Sequence, residues 1–115
     1  MKNICSAPIV SVDYLEKERT RLDKVVLVGG GFDVLHEGHI RHLQKAKSLG
    51  NILIVHITGD KRIKEKKGPE RPVFPELRRA AVISTIKFVD YVFVYNGRHY
   101  DQKIIDKLKP DILFF

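Results

Sequence analysis

The sequence predicts an α/β fold, a Rossmann-like parallel sheet with flanking helices. Two observations carry this. Short β-branched apolar runs alternate with stretches whose apolar residues recur at helical spacing, and glycine, proline or Asn-Gly punctuates the joins. Runs without a polar face are strands buried on both sides, and strand–helix alternation joins such strands by right-handed crossovers into a parallel sheet.

Residues 1–23 show little periodicity and are read as an N-terminal extension, with residues 14–22 as a short charged helix and Val10, Val12, Tyr14 and Leu15 able to pack. The domain proper is placed at residues 24–115. Lys24–Gly29 is the first strand. Ile40, Leu43, Ala46 and Leu49 form the inner face of a helix that Gly50 stops. Ile52–Thr58 is the second strand, and Pro69, Pro72 and Pro75 punctuate a loop. Pro75 suits a helix start, with Leu77, Ala80, Ala81 and Ser84 facing inward. Tyr91–Tyr95 is the third strand and Asn96-Gly97 a turn. Tyr100, Ile104, Ile105 and Leu108 make a last helical stripe, and Asp111–Phe115 opens a fourth strand after Pro110. Ligands of such sheets sit beyond the carboxyl ends of the strands, so chemistry is expected just after Gly29, Thr58 and Tyr95.

The 115 residues make one domain with a small core that a second copy could help to cover. No apolar run is long enough to span a bilayer, no secretory signal opens the chain, and Cys5 is the only cysteine. These features suggest a reducing, cytoplasmic setting without an internal disulfide. The net charge of +7 asks for an anionic partner. Its excess is concentrated in Lys61, Arg62, Lys64, Lys66, Lys67 and Arg71, against Glu65 and Glu70 only. That run contains no aromatic residue for stacking on bases, so it fits a phosphate-handling loop better than a nucleic-acid surface. From charge alone, a solvated loop without a function is the ordinary reading.

The richest segment is Gly29-Gly30-Gly31-Phe32-Asp33-Val34-Leu35-His36-Glu37-Gly38-His39. Three glycines allow a sharp turn close to an anion, and the helix starting near Gly38 turns its free N–H groups to the same space. His36 and His39 fall on one side of its first turn, where ring N–H groups can hold triphosphate oxygens. Neither a Walker nor a dinucleotide glycine spacing is present. Zinc ligation lacks a cysteine or a further histidine at metal spacing. An isolated pair of histidines three apart is usually an ordinary helix start; the combination with a buried strand and glycine turn is the specific feature.

The string GGFDVLHEGH resembles the Gly-(Thr/Val)-Phe-Asp-x-(Leu/Phe)-His-x-Gly-His motif of the cytidylyltransferase-like nucleotidyltransferases. The likeness continues through AKSLGNILIVHITGD and KGPERPVFPELRRAAVISTIKFVDYVFVY and covers residues 24–115. The stretch KGPERPVFPELRRA is most similar to the adenylyltransferase domain of bacterial ADP-heptose synthases. Glycerol-3-phosphate cytidylyltransferases are more distant, lacking the Arg-Pro-Val…Pro pattern.

The resemblance implies transfer of a nucleoside monophosphate to a phosphorylated small molecule with release of pyrophosphate. It implies ATP with a sugar phosphate such as heptose 1-phosphate, Mg²⁺ arriving with the triphosphate, and a place in lipopolysaccharide or carbohydrate biosynthesis. CTP with glycerol 3-phosphate is one alternative; a non-catalytic nucleotide- or phosphate-binding domain is the other. By position, His36 and His39 stabilise the α-phosphate, while Gly30, Gly31, Phe32, Asp33 and Gly38 belong to the nucleotide turn. Lys67 is the phosphate-binding lysine, with Lys64 and Lys66 competing for that role; Asp60 lies near acceptor and ribose, and Arg79 reaches phosphates. No side chain is expected to ligate a metal directly. Partners are small molecules and a second copy in a homodimer, not nucleic acid or membrane. Gly31 departs from the usual Thr or Val. The family continues into a Gly-x-Asp-(Trp/Tyr) segment and an ISTxI-type motif, whereas this sequence stops at Phe115. A truncated chain is therefore expected.

Overall fold

The computed structural model describes residues 6–115; Cys5, on which the disulfide reading turned, lies outside the described residues. The elements are α1 (Val12–Glu18), a 3₁₀ turn (Arg19–Arg21), β1 (Val25–Gly30), α2 (Glu37–Lys47), β2 (Ile52–Thr58), α3 (Asp60–Lys67), α4 (Glu76–Ser84), β3 (Tyr91–Tyr95), α5 (Gln102–Leu108) and β4 (Ile112–Phe114). The sheet is parallel throughout, in the order β3-β2-β1-β4. Val25 pairs with Ile52, and Val26 with Ile112. The order reverses between β1 and β4, which opens a crevice at the carboxyl end of β1.

Alternation along β1 divides the core into two layers. Val26 and Val28 pack with Leu43 and Ala46 of α2 and Ala80 and Ile83 of α4. Val25 and Leu27 pack on the other face with Leu15 of α1 and Ile104 and Leu108 of α5. All of these side chains are fully buried. Carboxylates pin the entries to the strands, at the end opposite the crevice. Asp90 accepts from the Leu53 N–H at 2.8 Å, and Asp111 from the Val25 N–H at 2.7 Å.

The N-terminal segment is tied into this frame. The Val10 N–H donates to Val92 O at 2.8 Å and the Val92 N–H to Pro8 O at 3.1 Å, laying residues 8–10 along the edge of β3. Ser11 caps α1 by accepting from the Tyr14 N–H, and Leu15 enters the core. Arg19 then donates to Leu108 O at 2.7 Å and Lys109 O at 2.8 Å, meeting the free carbonyls and negative dipole end of α5.

Three sequence expectations are corrected. The basic segment is not a loop: Asp60–Lys67 is helical, built of strong helix formers, with an acidic residue in its first turn and lysines in its last. Ile63 is its one buried anchor, too little to show as periodicity. The inward face of α4 is Arg79, Ala80, Ile83 and Ser84, while Leu77 and Ala81 face out. A buried guanidinium takes the position that the apolar pattern assigned to leucine. Leu49 falls beyond the end of α2 and is exposed.

Candidate active site

Gly30 ends β1 in the crevice, and after Gly31 comes Phe32 with a left-handed φ of 50°, turning the chain sharply before α2. His36 is the N-cap of α2. Its Nδ1 accepts from the Gly38 N–H at 3.0 Å, while its own N–H donates to His39 Nδ1 at 3.1 Å. A Cβ at residue 38 would lie 2.8 Å from His36 Cε1, so only glycine lets the ring fold back on this turn. Both Nδ1 atoms thus act as acceptors, which places the proton of each neutral ring on Nε2. The ring centroids are 4.0 Å apart. Burial, then the neighbouring His36 and His42, depress the pKa of His39, keeping it neutral near pH 7. The pair therefore presents two Nε2–H donors beside a helix N-terminus, an arrangement suited to phosphate oxygens.

His36 and His39 line a cavity of about 270 Å³ with Gly31, Asp33, Lys67 and Arg71. An adjoining cavity of about 190 Å³ shares Gly31, Ile63 and Lys67 with it and adds Gly30, Thr58 and Lys66. A third, of about 210 Å³, shares Gly30, Thr58 and Lys66 and extends to Arg98, His99 and Tyr100. Together they form one groove across the carboxyl ends of the strands, with α3 along its rim. Lys67 faces the histidine end and Lys66 the middle; Lys64, although exposed, does not line these cavities.

Arg79, expected to reach phosphates, is 1% exposed and committed internally. It donates to Phe74 O at 2.9 Å, Gly31 O at 2.8 Å, Thr58 O at 2.7 Å and Asp60 Oδ1 at 2.7 Å. Carbonyls at the ends of β1 and β2 supply the acceptors that a buried guanidinium requires. Asp60, expected near acceptor and ribose, is thereby taken up, and its N–H donates to Glu76 Oε1 at 2.8 Å. Asp33 lines the cavity but accepts from the Val73 and Phe74 N–H groups at 2.8 and 2.9 Å. Burial raises its pKa, yet those two bonds, Arg79 and Arg71 outweigh burial and hold it below the usual carboxylate range. In this structure Asp33, Asp60 and Arg79 brace the walls of the groove and position the glycine turn.

Arg62 and Arg71 stand out in the sequence only as members of the basic run, and His56, Arg98, His99 and Tyr100 are not evident there as site residues. His56 interrupts an otherwise apolar strand, and the last three follow Tyr95, where the strand-end rule already pointed. Among the described residues no group of three or more His, Cys, Asp or Glu stands where it could hold a metal ion. Among these residues no helix is long and apolar enough to cross a membrane.

The doubly flanked parallel sheet, the glycine turn and the paired histidines define an α/β domain of the His-x-Gly-His type. Residues 27–115 match the cytidylyltransferase-like family, and the chain belongs to that family. It is 43% identical over 101 residues to the bifunctional protein HldE of Syntrophotalea carbinolica, and 46% identical over 99 residues to that of Helicobacter pylori strain J99. These alignments cover 88% and 86% of this chain but 20% and 21% of the relatives, so the chain spans about one fifth of their length. A crystal structure of the lipopolysaccharide core biosynthesis protein from Thermoplasma volcanium GSS1 superposes with a TM-score of 0.68 at 36% identity. That match covers 80% of this chain and 73% of the other.

Proposed function

We propose that the chain is a nucleotidyltransferase that moves AMP from ATP to a sugar 1-phosphate and releases pyrophosphate. The observation that carries this is the pair of Nε2–H donors, set by backbone bonds to both Nδ1 atoms, beside Gly31 and Lys67. An acceptor phosphate oxygen forms the new bond to the α-phosphorus while the α–β bridging bond breaks, and the electron pair leaves with pyrophosphate. Such a displacement needs no protein nucleophile; it needs in-line positioning and neutralisation of the growing charge. The triphosphate lies at the histidine end of the groove with Mg²⁺ bound to it as part of the substrate. Lys66 and Lys67 stand between it and the acceptor. Adenine and a sugar phosphate are favoured by the resemblance of KGPERPVFPELRRA to the ADP-heptose synthases, and the likeness to a lipopolysaccharide core biosynthesis protein supports a role in carbohydrate biosynthesis.

Pyrophosphate release by the intact protein, with ATP or CTP crossed against hexose 1-phosphates, heptose 1-phosphate and glycerol 3-phosphate, tests the reading. ATP with a sugar phosphate is the expected pair. Preference for CTP and glycerol 3-phosphate would replace both substrates, and nucleotide binding without turnover would make this a binding domain. We also propose a homodimer, because Val34, Val73, Phe74, Leu77 and Val82 are apolar and exposed on a molecule with a small core. Sedimentation velocity tests it, and a monomer at micromolar concentration would refute it.

A further inference from the structure

The end of the groove remote from His36 and His39 holds two buried side-chain polar atoms without a hydrogen-bond partner, His56 Nδ1 and Arg62 Nε. They are opposite in kind. His56 Nε2 lies 3.0 Å from Tyr95 O, and a carbonyl can only accept, so Nε2 carries the hydrogen and Nδ1 is a bare acceptor. Arg62 Nε–H can only donate. His99 is held like His56: its Nε2 is 3.1 Å from Phe114 O, which leaves a second Nδ1 acceptor. A Cβ on Gly29 would stand 2.6 Å from His56 Nδ1 and 2.7 Å from His99 Nδ1, so glycine is what permits the two rings to converge.

A hydroxyl group can give its hydrogen to an imidazole nitrogen and accept one from a guanidinium. A deprotonated phosphate oxygen can only accept, and a quaternary ammonium can do neither. The charged residues lining this cavity are Arg62, Lys66 and Arg98, with no carboxylate among them. Asp101 engages Arg98 at 3.2 Å without lining the cavity. Such a lining repels a cationic tail and attracts an ester phosphate toward Lys66.

We propose that His56, Arg62 and His99 form the specificity end of the acceptor site, selecting a phosphate ester with free hydroxyls over one with a bare or cationic tail. The role as acceptor rests on the nucleotidyl-transfer reading; the hydroxyl selection rests on the cavity. Calorimetric titration of the intact protein separates the two, using ATP, inorganic phosphate, phosphocholine and a panel of hexose and heptose 1-phosphates as probes. The best sugar phosphate binds at least about tenfold more tightly than inorganic phosphate or phosphocholine, since a site built to bond hydroxyls penalises ligands lacking them. Arg62→Met and His99→Leu each remove that margin while the Kd for ATP stays within about twofold, because neither residue touches the histidine end. Arg62 is only half-buried, so its variant keeps the test open if His99→Leu fails to fold. Equal affinity for all phosphate probes overturns the proposal, as does a margin that survives Arg62→Met. A margin that stands in a protein unable to bind ATP overturns the nucleotidyl-transfer reading and upholds the hydroxyl selection.

Discussion

His36 and His39 each have one nitrogen occupied by a backbone N–H and the other available to a ligand. A donor held this way needs no reorientation as charge grows on the α-phosphate, so its contribution falls mainly on the rate. His39→Ala is expected to lower kcat by about 10²–10³ while weakening nucleotide binding far less, measured by steady-state kinetics beside calorimetry. His36→Asn is the cleaner partner experiment, because asparagine keeps a capping side chain at the start of α2 while removing the ring. Turnover near the parent value in either variant would take that histidine out of the reaction. His56 gives a different readout. Burial pushes its pKa down to about 4, against about 6.5 in an unfolded chain, so the unfolded state binds the extra proton between those values. Stability therefore rises with pH across that window, is complete above it, and is lost on acidification by up to about 3 kcal/mol. Urea titrations at several pH values should show the loss, and His56→Gln should flatten it. A pH-independent midpoint in the parent protein would contradict the burial of this ring.

Arg79 joins four pieces of chain: the glycine turn, the end of β2, the start of α3 and the loop ahead of α4. Lysine carries the charge but not the planar fork, so it cannot serve those acceptors together. Arg79→Lys should destabilise the fold by about 2–4 kcal/mol and lower affinity at both ends of the groove, read by thermal denaturation and ligand titration. A variant of parental stability would show the guanidinium to be dispensable to the frame. The same residue shows what was legible in the sequence. β1, β2 and β3 were plain because β-branched runs ending in glycine or polar residues have few other uses. The histidine turn was plain because its chemistry is contiguous. By contrast, α3 has only Ile63 to betray a buried side, and the phase of α4 was misread because an arginine, not Leu77, points inward. His56 and Arg62 are joined by the short β2–α3 turn, but His99 lies far along the sequence, and only the fold brings it to the same cavity.

At the scale of the molecule, the two ends of the sheet have different duties. Asp90 and Asp111 fasten the amino ends of β2 and β1, and the carboxyl ends carry the groove. The fold thus holds four exposed cations, Lys66, Lys67, Arg71 and Arg98, along the groove, which favours an anionic ligand spanning it.

Residues 8–10, lying along β3, also bear on how safely the protein can be handled. The strand they cover reads Tyr-Val-Phe-Val-Tyr, uncharged and rich in β-formers, the kind of sequence that recruits further copies of itself when its edge is bare. A chain shortened to begin at Lys24, where the sequence pattern sharpens, would keep every groove residue and lose that cover along with Leu15. It should fold less stably and form aggregates within hours at concentrations the full chain tolerates, which static light scattering would detect. A clear, monodisperse solution of the shortened chain would show that the segment is dispensable. If the shortened chain aggregates, residues 8–23, silent in the chemistry, act as the protein's own safeguard against self-association.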